Sequence, residues 1–329
     1  MARVLITGGA GFIGYHLARD LVSRGYTVTL IDNLFRGRQD AELLGLLNNQ
    51  SVSLVPLDLT IQGALASLTE SYDQVYHLAA VNGTRYFYEM PHEVLRVNLL
   101  TTINLLDWLS QGRGEKVLFA SSSETYSGSQ RLLDIPIPTP ENVPLAIDDI
   151  FNPRFSYAAS KIAGELLFIH YARKYGFKMS IVRYHNVYGP RMGFEHVIPQ
   201  LTERILRRED PLALHGSRNS RSFCYVTDAV EASARVMENA TTDGKVLNVG
   251  NDKEEITILE LAKRLVEISN FHPQVVELPA PPGSTDRRCP DISAIRALTG
   301  YEPKVSLDAG LKETFAWYSN LAHTAGLAR

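Results

Sequence analysis

A chain of 329 residues, 45% hydrophobic and 21% charged, is long enough to bury a full core and implies one large domain or two coupled ones. Its formal net charge of −3 gives no electrostatic case for nucleic acid as a partner, so an anionic ligand has to be held locally by arginines and backbone N–H groups. Two cysteines build no disulfide framework, no run approaches the roughly 20 apolar residues of a bilayer crossing, and residues 1–7 lack signal-peptide order. The expectation is a cytoplasmic protein without a membrane partner.

Val4 to Ile6 reads as a short buried strand, Gly11 to Arg24 as a helix and Val28 to Ile31 as a second strand. Further strands are expected at Ser53 to Val55, Val75 to His77, Val117 to Phe119 and Ser180 to Val182, with helices over Val94 to Leu109 and Ser156 to Tyr175. This alternation predicts an α/β fold, a Rossmann-type parallel sheet with helices on both faces. Beyond Arg183 the pattern changes. Pro190, Gly193, Pro199, Pro211 and Gly216 break the chain into loops, and helices are expected around Pro199 to Arg208, Thr257 to Ile268 and Ala309 to Leu321, with a Pro-rich stretch from Pro279 to Gly283. Residues 1–183 read as the dinucleotide domain, rejoined by about 222–250, and residues 184–329 mainly as a smaller mixed α/β substrate region.

The segment Gly8-Gly9-Ala10-Gly11-Phe12-Ile13-Gly14 follows the first strand and opens the first helix. Glycines there permit a tight turn and close backbone approach, and the free N–H groups at the helix start suit a pyrophosphate. Asp32, followed by Asn33, ends the second strand, where a carboxylate accepts from ribose hydroxyls. A 2′-phosphate would meet a like charge unless Arg36 or Arg38 swung in, which favours NAD over NADP. Asp58, with Leu59 beside it, is placed to accept from the adenine amino group, or else to form a strand-end turn or cap near Ile61. In His77-Leu78-Ala79-Ala80 the small residues let a cofactor pass close to the backbone, while His77 suits a packed histidine as well as a ligand contact.

Tyr157 and Lys161 are four residues apart, on one face of a helix. A phenol is a poor base at neutral pH, and Lys161 beside it, with a positive nicotinamide ring, would favour the phenolate. Ser121-Ser122-Ser123-Glu124 leaves the end of a strand, where open α/β sheets place functional side chains. Ser122 is expected to share the substrate oxygen with Tyr157, and Glu124 to serve as a second acid or base. His185, His196 and His215 lack a metal-ligand spacing, so no metal is expected.

With these residues the chain resembles the extended short-chain dehydrogenase/reductase family, the NAD-dependent nucleotide-sugar epimerases, dehydratases and decarboxylases. The resemblance implies a nucleotide-diphosphate sugar as substrate, bound mainly by the C-terminal region, and a homodimer formed through a four-helix contact that includes the Tyr157–Lys161 helix. It places the catalytic serine at Ser122, the tyrosine and lysine at Tyr157 and Lys161, and a cofactor-side residue at Asn98. On the substrate side it places Ser123, Asn186 and Arg191, with Arg221 and Arg288 on the diphosphate.

Ser122, Tyr157 and Lys161 suffice for a 4-epimerase, the reaction expected first. The Thr-Asp-Glu triplet of the 4,6-dehydratases reads Ser122-Ser123-Glu124 here, and Ser123 is a poor acid. Glu124, Arg287 to Ser293 and Gly300 to Val305 resemble the UDP-glucuronate decarboxylases instead. Net C4 oxidation, and a sensor that binds without turnover, complete the alternatives. The Val81 to Tyr88 loop departs from the family pattern. Its Arg85 would pair with a substrate carboxylate or hydroxyl, or else face solvent. Thr125-Tyr126-Ser127 and Thr101-Thr102 are further departures, and both lose glycines near the cofactor.

Overall fold

The computed structural model describes residues 2–281 and 283–324; Pro282, within the Pro-rich stretch, lies outside them. The strand β1 (Arg3–Thr7) is an apolar run buried almost throughout, as expected of a central parallel strand covered on both faces. It leads into α1 (Phe12–Ser23), which turns Leu17, Ala18 and Leu21 onto the sheet. There follow β2 (Thr27–Asp32), α2 (Ala41–Leu47), β3 (Val52–Pro56), β4 (Tyr72–His77), α3 (Thr84–Glu89), α4 (Pro91–Leu109), β5 (Gly114–Ser122), α5 (Ser127–Leu132), α6 (Phe155–Tyr175) and β6 (Lys178–Tyr184).

Seven strands form the main sheet, in the order Val246–Val249, β6, β5, β4, β1, β2, β3. Every pairing in it is parallel, and β1 registers Val4 against Val28 on one side and Gln74 on the other. The strand order reverses between β1 and β4, so a crevice opens beyond their carboxyl ends. On one face Leu105, Leu106, Trp108 and Phe168 of α4 and α6 build the core. On the other, Leu17 and Leu21 pack with Val226, Ala229 and Val230 of a helix at Val226–Glu238.

The smaller region is mixed. Ser220–Ser222 pairs antiparallel with Glu255–Thr257 and parallel with Arg287–Arg288, while Leu212–His215 runs parallel to Val275–Leu278. Thr257 and Glu260 form a capping box on the Ile258–Ser269 helix. The expected loop at Val81 to Tyr88 contains α3, because Phe87 is drawn into a small cluster with Val81, Val94 and Tyr157. No helix among the described residues is long and apolar enough to cross a membrane, and no group of three or more His, Cys, Asp or Glu among them could hold a metal ion.

Candidate active site

A groove of about 770 Å³ runs beyond the carboxyl ends of the main-sheet strands and on under residues 191–196. Gly8, Gly11, Phe12, Ile13 and Gly14 form its floor. A Cβ on Gly14 would run into the Gly8 carbonyl oxygen, and Gly8 itself has φ +71° with its backbone close against Ala79. The sequence therefore packs the turn, α1 and the end of β4 at a distance only glycine allows, leaving the start of α1 open to a pyrophosphate.

Asp32 accepts from Ala10 N at 3.1 Å and Leu34 N at 2.8 Å, which aims its carboxylate at the groove, and burial raises its pKa. Neither nearby arginine turns to it. Arg36 pairs with Glu195 at 3.5 Å and lies over Tyr86, and Arg38 lies over Phe194. A buried carboxylate without a cationic partner suits ribose hydroxyls and repels a 2′-phosphate, so the site fits NAD.

Asn33, Asp58, Leu59, Leu78, Ala79 and Ala80 continue the groove wall. Asp58 accepts from Thr60 N at 2.8 Å and Thr60 Oγ1 at 2.7 Å, so the turn and the groove wall are the same feature. His77 is a core residue, bonded to Thr7 Oγ1 at 2.8 Å and Thr102 Oγ1 at 3.2 Å and stacked on Phe119. Burial, then Lys161, push its pKa down to about 3. Asn98 stands behind the wall. It accepts from Val81 N at 2.7 Å and donates to Ser160 Oγ at 3.1 Å, so its amide holds the groove backbone in place.

At the middle of the groove β5 delivers Ser122 and α6 delivers Tyr157 and Lys161. Ser122, whose Oγ accepts from Glu124 N at 3.2 Å, lies beside the Tyr157 phenol and works to lower its pKa, and Phe87 stacks on the Tyr157 ring at 5.1 Å and 19°. Lys161 Nζ donates to Ala120 O at 2.7 Å and lies 5.7 Å from the Tyr157 ring centre. Burial lowers Lys161 to about 7, against Glu165, which raises it. Burial also carries Tyr157 well above the ordinary phenol range, outweighing Ser122. In the chain by itself desolvation is the larger effect and the phenol is neutral; the phenolate is expected of Lys161 acting together with a positive nicotinamide ring.

Beyond Ser122, Glu124 accepts from Arg288 Nη1 at 2.8 Å, Arg154 Nη2 at 3.2 Å and Ser127 Oγ at 3.0 Å. Burial would raise its pKa, but Arg288 and Arg154 outweigh it and hold the carboxyl well below the usual carboxylate range. Arg221 donates to Thr285 O, Ser220 O and Asp286 O and faces no paired carboxylate. Burial and the nearby Arg288 lower it to about 9, so it stays charged at neutral pH. Ser123 and Asn186 line the groove, Asn186 at φ +41° with its amide on Ser222 O. Arg191 also lines it, but its guanidinium ties down Asp40 at 2.8 Å.

Arg85 is not brought to the site. It lies on the exposed face of α3, 3.5 Å from Glu89 and against Tyr86, because Phe87 occupies the inward side of that turn. Sequence reading missed Arg154 on Glu124, and Glu195 and His196 on the groove wall. Their only sequence signal was nearness to Tyr157 in one case and to the Asn186–Arg191 segment in the other.

The family model described as "NAD dependent epimerase/dehydratase family" matches residues 4–250. A UDP-N-acetyl-alpha-D-glucosaminuronate decarboxylase of Bacillus cytotoxicus is 34% identical over 97% of this chain and 98% of its own length. UDP-glucuronic acid decarboxylase 5 of Arabidopsis thaliana is 32% identical over 94% and 87%. Among solved structures, the UDP-glucose 4-epimerase of Thermotoga maritima with UDP-glucose superposes with a TM-score of 0.84 at 30% identity, covering 97% of this chain and 99% of that one.

Proposed function

The chain belongs to the NAD dependent epimerase/dehydratase family, and on that premise we propose that it decarboxylates a nucleotide-diphosphate uronic acid through oxidation at C4 of the sugar. The observation that carries this reading is the ion cluster at the sugar end of the groove. Arg288, which lines the groove, and Arg154, behind it, share the carboxylate of Glu124, and Arg221 is near enough to feel both Arg288 and Glu124. That excess of positive charge suits a diphosphate and a second, sugar-borne carboxylate together. The decarboxylases named above, similar over nearly the whole chain, support the same reading over the simple epimerisation expected first.

Gly8, Gly11, Gly14 and Asp32 would hold NAD, which would supply a hydride acceptor for C4 and afterwards a hydride donor to the same carbon. With Lys161 and a bound, positive nicotinamide ring favouring its phenolate, Tyr157 removes the C4 hydroxyl proton, and Ser122, beside the same phenol, holds the sugar oxygen in line. A C4 ketone places the C6 carboxylate β to a carbonyl. The C5–C6 bond then breaks with its electron pair running into the carbonyl oxygen, where Tyr157 and Ser122 donate to the enolate formed. Carbon dioxide leaves, C5 takes up a proton from water, and Tyr157 returns its proton to the C4 oxygen as the ketone is reduced.

Dehydration is disfavoured. Glu124 is too weak a base to take the C5 proton readily, and Ser123 offers no acid for a leaving C6 hydroxyl. Epimerisation is the second reading, favoured because Ser122, Tyr157 and Lys161 suffice for it and because of the likeness to the Thermotoga enzyme.

The proposal includes a cytoplasmic homodimer through α4 and α6, supported by the exposed Leu166 and Tyr175 on α6. It also keeps residues 1–183 with about 222–250 as the cofactor domain, and the rest mainly as the substrate domain.

The test is incubation with UDP-glucuronate, UDP-N-acetylglucosaminuronate and UDP-glucose, with product NMR and measurement of carbon dioxide. A nucleotide pentose with release of carbon dioxide is expected. A C4 epimer that keeps C6 would return the assignment to epimerisation.

A further inference from the structure

Tyr157, Lys161 and Glu165 follow one another at intervals of four residues and so share one face of α6. They meet β5 at three consecutive residues. Lys161 Nζ donates to Ala120 O at 2.7 Å, Ser121 Oγ donates to Glu165 Oε1 at 2.5 Å, and Ser122 lies beside the Tyr157 phenol. The first and third of these contacts belong to the proposed reaction. The second does not, and both of its side chains are buried.

Arg183 balances the charge of Glu165. Ser121 and Arg183 are register partners on β5 and β6, so their side chains leave the sheet on the same face, where α6 lies. Arg183 Nε donates to Glu165 Oε1 at 2.9 Å and Nη2 to Oε2 at 2.7 Å, while Nη1 donates to the Tyr126 phenol at 2.8 Å and to Glu141 O at 3.0 Å. Around this cluster the layer between sheet and helix is apolar, with Phe168 stacked on Phe119 at 4.7 Å and Ile181 in the same core. Apolar side chains of similar volume would join α6 to the sheet at least as firmly, because the attraction within a buried ion pair does little more than offset its desolvation. What they would not supply is a fixed distance. Apolar packing tolerates sliding, whereas a hydrogen bond holds its atoms at one separation and angle. The Ser121–Glu165 bond stands one residue before Ser122 and one helical turn beyond Lys161, where a slip of α6 along the sheet would carry Tyr157 away from Ser122.

We infer that Glu165 is a positioning residue for the hydride transfer: through Ser121 it fixes α6 against the end of β5 and so holds Tyr157 and Lys161 in line with Ser122. The inference rests on the reading that these three side chains act on the sugar alcohol, and adds to it the contact that keeps them in register. Glu165 exchanges no proton in the reaction and touches no ligand.

The experiment is single-turnover absorbance of the reduced cofactor in the NAD-loaded full chain with UDP-glucuronate, UDP-N-acetylglucosaminuronate and UDP-glucose, beside calorimetric titration with the same sugars. Ser121→Ala removes the hydroxyl and keeps the ion pair. Glu165→Asp keeps a charge for Arg183 and is one methylene too short to reach Ser121. Each is expected to slow hydride transfer about tenfold or more, with affinity for the sugar nucleotide within about threefold. The double variant is expected to be at most about twofold slower than the slower single one, since both changes remove the same contact. Ser180→Ala is the control. It takes from β6 a buried hydroxyl that donates to Thr242 O at 2.9 Å, and it should leave the rate within about twofold. If Glu165→Asp does not fold, Ser121→Ala set against Ser180→Ala decides. Unchanged rates, a fall in affinity as large as the fall in rate, losses that multiply in the double variant, or an equal loss in Ser180→Ala overturns the inference. A wild type that transfers no hydride from any of the three sugars overturns the reading of the site and this inference with it, whereas hydride transfer without release of carbon dioxide sinks only the decarboxylase reading.

Discussion

Arg288 donates to Glu124 at 2.8 Å, and both side chains line the groove beside Ser122, while Arg154, which grips the same carboxylate oxygen at 3.2 Å, does not line it. Arg154 is therefore the anchor of Glu124, and Arg288 is the partner that a bound anion can reach. Arg288→Met is expected to cut carbon dioxide release at least 100-fold while a transient C4 oxidation, read as absorbance of the reduced cofactor, remains visible. Loss of oxidation and decarboxylation in the same proportion would confine Arg288 to binding the substrate.

The same ion pair gives a stability prediction. The Glu124 carboxyl sits below its ordinary value in the folded protein, because two guanidiniums outweigh burial. The unfolded state then binds the proton first, so this stabilisation is complete above pH of about 4.5 and is lost as pH falls below it. Glu124→Gln is expected to lower stability at pH 7 by roughly 3 to 5 kcal/mol, since it leaves buried arginine charge uncompensated. It should also flatten the fall in stability on acidification. Denaturant titrations of both proteins between pH 3 and 7 measure it, and parallel acid limbs would remove Glu124 from this role.

Tyr157→Phe keeps the ring that stacks on Phe87 and removes only the hydroxyl beside Ser122. Substrate affinity is expected to change little, and the rate of hydride transfer to fall by about 10² to 10⁴. Ser122→Ala, which leaves the phenol in place, should cost less. Single-turnover absorbance with bound nucleotide sugar separates the two, and a Tyr157→Phe enzyme of normal rate would move the proton transfer elsewhere.

The main sheet was readable because its strands are continuous apolar runs and its first turn carries closely spaced glycines. Val246–Val249 was legible as a short apolar run, although Asn248 interrupts it. The substrate region was harder to read. Strands such as Ser220–Ser222 and Arg287–Arg288 are two or three residues long and polar, and they exist only because they pair with each other across the lobe. Local pattern also missed the Val226–Glu238 helix, whose buried face is built partly of small residues such as Ala229, Ala232 and Ala234. At the site, the residues set by local spacing, Tyr157 and Lys161 on one helix face, were visible in the sequence. Arg154 on Glu124 joins positions 30 residues apart, and Arg85 was drawn toward the site on paper because its neighbour Phe87 gave no sign of taking the inward face.

Asp32 is expected to set the cofactor choice. Its carboxylate is fixed by Ala10 N and Leu34 N, while Arg36 is held away by Glu195 and Tyr86. Asp32→Ser is expected to weaken NAD by about tenfold and to narrow the preference for NAD over NADP, since the like charge facing a 2′-phosphate is gone. Adding Glu195→Ala should release Arg36 and improve NADP binding further. Titration of each variant with both dinucleotides checks the pair, and an unchanged ratio in Asp32→Ser would show that the carboxylate does not face the ribose.

Lys161 carries the last prediction. Burial lowers its pKa to about 7 despite the opposing field of Glu165, whereas a lysine in an unfolded chain titrates near 10.4. Below about pH 7 the amine is protonated in both states and the folded chain bears the cost of a buried charge. Between about 7 and 10 the unfolded chain keeps its proton while the folded one has lost it, so this group makes stability rise with pH across that window. The cofactor-free protein is expected to show that rise and Lys161→Met to lack it, since a thioether of similar length has nothing to titrate. In lysine-labelled protein one ε-carbon resonance should move with a midpoint near 7, well apart from the exposed lysines, and vanish in Lys161→Met. Should every lysine titrate near 10, the amine is solvated in solution, and the short contact to the Ala120 carbonyl does not hold it in the apolar layer beside Phe119.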